Sequence, residues 1–294
     1  MIEKSTISDI ERISYDILKQ SKALDVFPTP VDEIVSFSDL IVNKELNLSH
    51  IDESFLSKMS GRFKDIMQHV RGILDRREKI IYLDLSQSSN RQNFVKLHET
   101  GHNVLDWQQA TLEFMDDDET LDPFTNKQFE AEANYFASAT LFQLDRFDHE
   151  VGKLELGLKT VMHLSKHFGA SVHATYRRYV ERSKKRCCLL VLENITDIGE
   201  FPICSVRNYF QSPSFTAEFG EISWENELGY TWSFVKDYYH GRKFLIDREI
   251  SITTNDGDID CTYHFFNSTY NAFVFLFPKG EKIKTRTKFV IQGA

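Results

Sequence analysis

Five consecutive residues, His98-Glu99-Thr100-Gly101-His102, carry the most legible chemistry in this 294-residue chain. On a helix, positions i and i+4 lie on one face about one turn apart, so two imidazoles can grip a single zinc ion from one rigid element. Glu99 stands next to a ligand without being one. Its carboxylate can therefore act as general base on a water whose pKa the metal lowers towards about 7. A pattern with three fixed positions also arises by chance, and paired histidines on a helix are often only surface residues. Here Val95, Leu97, Val104 and Leu105 make the helix largely apolar, and buried histidines need partners. A catalytic zinc also needs a third protein ligand and one open position. The nearby segment that offers an acid on a packed helix is Phe129-Glu130-Ala131-Glu132-Ala133-Asn134-Tyr135-Phe136-Ala137.

These side chains need elements to hold them. Residues Phe94 to Gln109 read as a helix, and KIIYLDL, Lys79 to Leu85, has the β-branched and aromatic content of a strand ahead of it. The acidic stretch MDDDETLDP reads as an exposed loop ended by Pro123, after which Phe129, Ala133, Phe136, Ala137 and Leu141 line one side of a further helix. Upstream, Ile10, Ile13, Ile17 and Leu18 fall at helical spacing, and a second short helix is expected near Pro30. Downstream, Leu156 to Arg182 reads as two helices separated at Gly169, a helix-turn-helix-like pattern. From Cys187 onward CCLLVLENI, EISITTN, CTYHFF and AFVFLF are strand-like, with a turn signal at residues 255–258.

HETGH followed about thirty residues later by EAEANYFASATL resembles the ImmA/IrrE family of metallopeptidases. PVDEIV, the IIYLDL strand and the RQNFVKLHETGH approach fall in the order seen in that family. The resemblance implies His98 and His102 as zinc ligands, Glu99 as catalytic base and Glu132 as third ligand, with Glu130 as its competitor. The two acids are about 200° apart on a helix, so only one can face the metal. Asn134 has two readings, a group that orients a ligand or a helix-surface residue. The family's usual Leu-Leu-Met-Pro helix end is replaced here by Leu141-Phe142-Gln143-Leu144, which leaves the helix terminus open. The resemblance further implies an α+β architecture: a mainly helical, zincin-like metallopeptidase domain over 1–155, a helix-turn-helix-like segment over 156–186, and a β-rich, GAF-like sensor domain over 187–294. It implies a helix-turn-helix transcriptional repressor as substrate, cleaved to release stress, prophage or anti-phage genes, and single-stranded DNA as a candidate signal.

Composition bounds these expectations. With 41% hydrophobic and 27% charged residues the chain is of globular type, and no apolar run approaches the roughly 20 residues of a membrane span. The N-terminus alternates charged with apolar residues, so a cytoplasmic location is expected. The four cysteines all fall after residue 186 without CxxC spacing and read as reduced core thiols. The net charge of −9 disfavours a protein that coats nucleic acid. Between Lys159 and Arg186, however, eight Lys and Arg face the single acid Glu181, a local balance of +7. A solvated helix face and a docking surface for an acidic partner are both open to that run. The alternative function is accordingly a DNA-binding regulator that keeps the zinc fold with little peptidase activity, and a structural zinc module leaves Glu99 without a purpose.

Overall fold

The computed structural model describes residues 2–48, 72–113, 122–198, 201–255 and 257–281. The chain divides into two compact units, Met1–Phe147 with Ser165–Ser171, and Asp148–Leu164 with Val172–Ala294. The first is mainly helical and the second is built on an antiparallel sheet, so the fold is α+β.

In the first unit, α1 (Lys4–Gln20) and α2 (Val31–Phe37) bury Ile10, Ile17, Leu18, Ile34 and Val35. Three short strands follow, β1 (Ile41–Asn47), β2 (Gly72–Asp75) and β3 (Ile80–Leu83). β3 is central, parallel to β1 and antiparallel to β2. The expected strand at Lys79 to Leu85 is this central one. It is short because its inward residues Ile81 and Leu83 are buried while Asp84 and Ser86 close a turn of side-chain hydrogen bonds. The helix expected from Phe94 to Gln109 is two helices, α3 (Ser89–Val104) and α4 (Asp106–Glu113), broken where Leu105 takes an extended conformation. α5 (Pro123–Leu141) starts on a capping interaction: the Asp122 carboxylate accepts the N–H groups of Phe124 and Thr125, and Pro123 occupies the first turn. Most of the acidic stretch expected as a loop lies outside the described residues.

α5 ends at Leu141, where Gln143 and Leu144 turn into positive φ. The Gln143 amide then donates to the carbonyls of Ala23 and Val26 and accepts the N–H of Asp25, tying the helix end to the loop after α1. α6 (Asp145–Gly152) and α7 (Leu158–Phe168) each contribute residues to both units.

The second unit holds α8 (Val172–Glu181) and a six-stranded antiparallel sheet. Its strands are β4 (Cys188–Ile198), β5 (Phe201–Gln211), β6 (Glu227–Gly229), β7 (Phe244–Thr254), β8 (Gly257–Asn267) and β9 (Ala272–Pro278), in the order β6-β5-β4-β9-β8-β7. Two short helices, α9 (Pro213–Phe219) and α10 (Ser233–Tyr239), lie in the connections. β9 is buried at every residue because both its faces are covered. On one face Tyr176 of α8 stacks on Phe273, ring centroids 5.5 Å apart, and Tyr179 packs on Phe275 at 5.9 Å. On the other, Val274 and Leu276 join a core with Phe215, Phe234 and Val235 from α9 and α10. The second helix of the helix-turn-helix-like pattern is thus a cover of the sheet. The turn expected at 255–258 joins β7 to β8, with Asp256 outside the described residues.

All four cysteines are buried and free. Burial pushes the Cys187, Cys204 and Cys261 thiols up to about 12, so they stay protonated and inert at neutral pH.

Candidate metal centre

The site begins at the crossing of α3 and α5. Gly101 makes the close approach possible: a Cβ there would stand 3.1 Å from the Phe136 ring and 3.3 Å from the Ala133 Cα. Because Ala133 is also small, the two helix backbones meet at this point, and the residues one turn away on each helix face one another. On α3 this is His98, with His102 directly after Gly101 on the same face; on α5 it is Glu130.

The three side chains converge. The Nε2 atoms of His98 and His102 lie 3.1 Å apart. Oε2 of Glu130 is 3.3 Å from the first and Oε1 is 3.4 Å from the second. Among the described residues this is the group of three able to hold a metal ion. In a tetrahedral site with bonds of about 2.0–2.1 Å, ligand atoms stand about 3.3 Å apart, so the triangle already has the right edge. Two imidazole nitrogens and one carboxylate are also the donor set of a catalytic centre that keeps a fourth position open. The residues present therefore fit a metal ion.

Electrostatics agree with the geometry. The hydrogen bonds of His102 and His98 hold the Glu130 carboxyl well below the usual carboxylate range. Burial works against a charged His98, yet its hydrogen bond to Glu130, the Glu99 and Glu130 charges and a hydrogen bond to Asn134 outweigh it and raise its pKa. Asn134 is exposed on α5, and its amide donates to the Glu130 backbone carbonyl one turn back at 2.8 Å. Glu99 is buried, and burial pushes its carboxyl above the usual range, opposed by the charges of His98, His102 and Arg76. Its Oε1 lies beside Gly72 at the start of β2, where an added Cβ would come within 3.3 Å of it.

Glu132, the expected third ligand, does not lie in this group; the carboxylate that stands beside the two histidines is that of Glu130. The half-turn between the two acids is the reason. With Glu130 facing the histidines, Glu132 points into the packing between α5 and α4, wholly buried, where it accepts hydrogen bonds from Trp107, Gln108 and Gln128. Sequence reasoning also missed Gln108, whose Oε1 lies 2.8 Å from His102 Nδ1. A glutamine in DWQQ looks like a surface residue; only the break at Leu105 turns it inward.

Comparison with known proteins points the same way. Residues 50–179 match the family model of a peptidase, described as the IrrE N-terminal-like domain. No curated protein matches the chain. A solved structure, a "Mycobacterium tuberculosis transcriptional regulator", is similar over 92% of this chain and 75% of its own, at 10% identity and a TM-score of 0.53, which is a likeness of fold. The paired histidines and Glu130 lie inside the segment that is similar to this IrrE N-terminal-like domain.

Proposed function

We propose that the chain is a zinc-dependent endopeptidase of zincin-like architecture that cleaves a helix-turn-helix transcriptional repressor. The observation that carries this reading is the triangle of His98, His102 and Glu130 with Glu99 buried beside it and not part of it. Zinc, when bound, supplies a Lewis acid for a peptide carbonyl and a water of lowered pKa. Glu99 takes the proton from the attacking water and returns it to the leaving amine. A carboxyl already pushed upward by burial suits a group that must both accept and give a proton near neutral pH. β2, an outer strand of its sheet among the described residues, begins at Gly72 beside Glu99. An extended substrate segment laid along that strand would bring a peptide bond to the site.

The antiparallel sheet of the second unit, crossed by helices on its faces, supports the GAF-like sensor reading of residues 187–294. On its surface Tyr230 lies against Phe201, Tyr239 and His240, and the Lys236 ammonium stands 5.3 Å over the Tyr230 ring. Rings beside a cation favour a ligand held by stacking, and single-stranded DNA is the candidate signal. No helix among the described residues is long and apolar enough to cross a membrane, and a cytoplasmic location belongs to this reading.

The name of the similar structure favours a second reading, a DNA-binding regulator with little peptidase activity. Within the basic run Arg177 pairs with Glu181, Arg182 with Asp148, and Arg186 with Glu218 and Glu281, which leaves less positive charge for phosphates. The deciding experiment is co-expression with the neighbouring repressor gene. The wild type should yield a cleaved repressor, and Glu99→Gln should keep its zinc and yield none. Intact repressor in both, with salt-dependent binding of the chain to duplex DNA, would transfer the case to the second reading.

A further inference from the structure

Glu132 is a carboxylate with no solvent contact and no metal to bind, and burying such a group is costly unless every oxygen is used. It is used fully. Oε2 accepts from Trp107 Nε1 at 2.8 Å and from Gln108 Nε2 at 2.9 Å, and Oε1 accepts from Gln128 Nε2 at 2.9 Å. The consequence falls on Gln108, which is also wholly buried. Its Nε2 faces two groups that only accept, Glu132 and the Phe129 carbonyl at 3.2 Å, so the amide has one orientation and its Oε1 faces His102 Nδ1 at 2.8 Å. An amide oxygen can only accept. Nδ1 of His102 must then carry a proton, and Nε2, which stands 3.4 Å from Glu130 Oε1 and 3.1 Å from His98 Nε2, is the nitrogen left to give up its proton and offer a lone pair to a metal.

The geometry points to a relay, Glu132 to Gln108 to His102, that selects the metal-binding tautomer of His102; Glu132 is a positioning residue that acts two hydrogen bonds from the metal. This rests on the reading of His98, His102 and Glu130 as a zinc site, and goes beyond it by giving Glu132 and Gln108 separate, coupled work. It also explains why an acid at position 132 stands beside the true ligand on the same helix without competing for the ion.

The test is zinc affinity of the full chain, measured by competition with a chromophoric chelator, together with the side-chain ¹⁵N resonances of His102 in the zinc-loaded wild type. Gln108→Met keeps the shape and removes the acceptor, and should weaken zinc binding about 10- to 100-fold, the range for a lost outer partner of a ligand. Glu132→Met should do the same, the double variant should lose no more than either single one, and Glu132→Gln, which still offers Gln108 an oxygen, should stay within a few-fold of wild type. The wild-type spectrum should show a protonated Nδ1 and an Nε2 on the metal, a result that does not depend on any variant folding. A metal-bound Nδ1, or unchanged zinc affinity in folded Gln108→Met, overturns the relay. If Glu130→Gln and His98→Ala bind zinc as wild type does, the metal site itself is wrong and the failure lies there.

Discussion

His98, Glu99 and His102 share one helix but not one environment. The two histidines have turned their Nε2 atoms onto one point 3.1 Å apart, while Glu99, on the same helix, lies against Gly72 and keeps its carboxylate out of the triangle. Because Glu130 and Glu99 hold a proton on His98 more firmly than usual, an incoming metal ion must displace that proton. The sign follows: a raised histidine pKa means that zinc affinity begins to fall at a pH above the ordinary histidine value of about 6.5 and keeps falling with further acid. A chelator competition repeated between pH 8 and pH 5 reads this directly, and affinity that is flat across the range would contradict it. The motif itself was legible in the sequence because its three fixed positions are local. The acid that stands beside the histidines was not, since helical periodicity separates Glu130 from Glu132 without saying which half-turn faces α3.

At the scale of elements, the decisive contact is the meeting of α3 and α5 at Gly101 and Ala133. A longer side chain at residue 101 must push α5 outward and take Glu130 with it. Gly101→Leu should therefore cost about 1–3 kcal/mol of stability by overpacking, read from urea denaturation, and lose zinc in the folded protein. Full zinc content in a folded Gly101→Leu protein would show that the crossing does not set the ligand distance. Helix and strand types were readable where apolar residues recur at a regular period, as in α1 and α5, or form an unbroken apolar, aromatic-rich run, as in β9. What escaped was the break at Leu105: DWQQATLE continues a helical composition, and nothing in its residue types announces that the chain turns there and sends Gln108 inward.

For the whole molecule, the change of composition at Cys187 marks where the sheet begins, yet the compact unit that contains the sheet also takes in α8. The reason is aromatic packing. Tyr176 and Tyr179 are covered by Phe273 and Phe275, which lie about a hundred residues further along, beyond the reach of any local pattern. A chain ending at Arg186 would expose both rings, and burying a large side chain is worth about 1.5–3 kcal/mol. Such a chain should bind a hydrophobic dye and self-associate, whereas the full chain should not; a monodisperse, dye-silent fragment would contradict the packing. The sensor assignment for residues 187–294 is for this reason better probed by point changes on the Tyr230 surface than by truncation.

The central claim is that one zinc ion is held by His98, His102 and Glu130. The most direct measurement is the metal content of the purified full chain beside its Glu130→Gln and Glu132→Gln variants. The account predicts about one zinc per chain in the wild type, nearly as much in Glu132→Gln, and an affinity lowered more than about 100-fold in Glu130→Gln, beyond what loss of an outer partner causes. Full zinc in Glu130→Gln with loss confined to Glu132→Gln would contradict it.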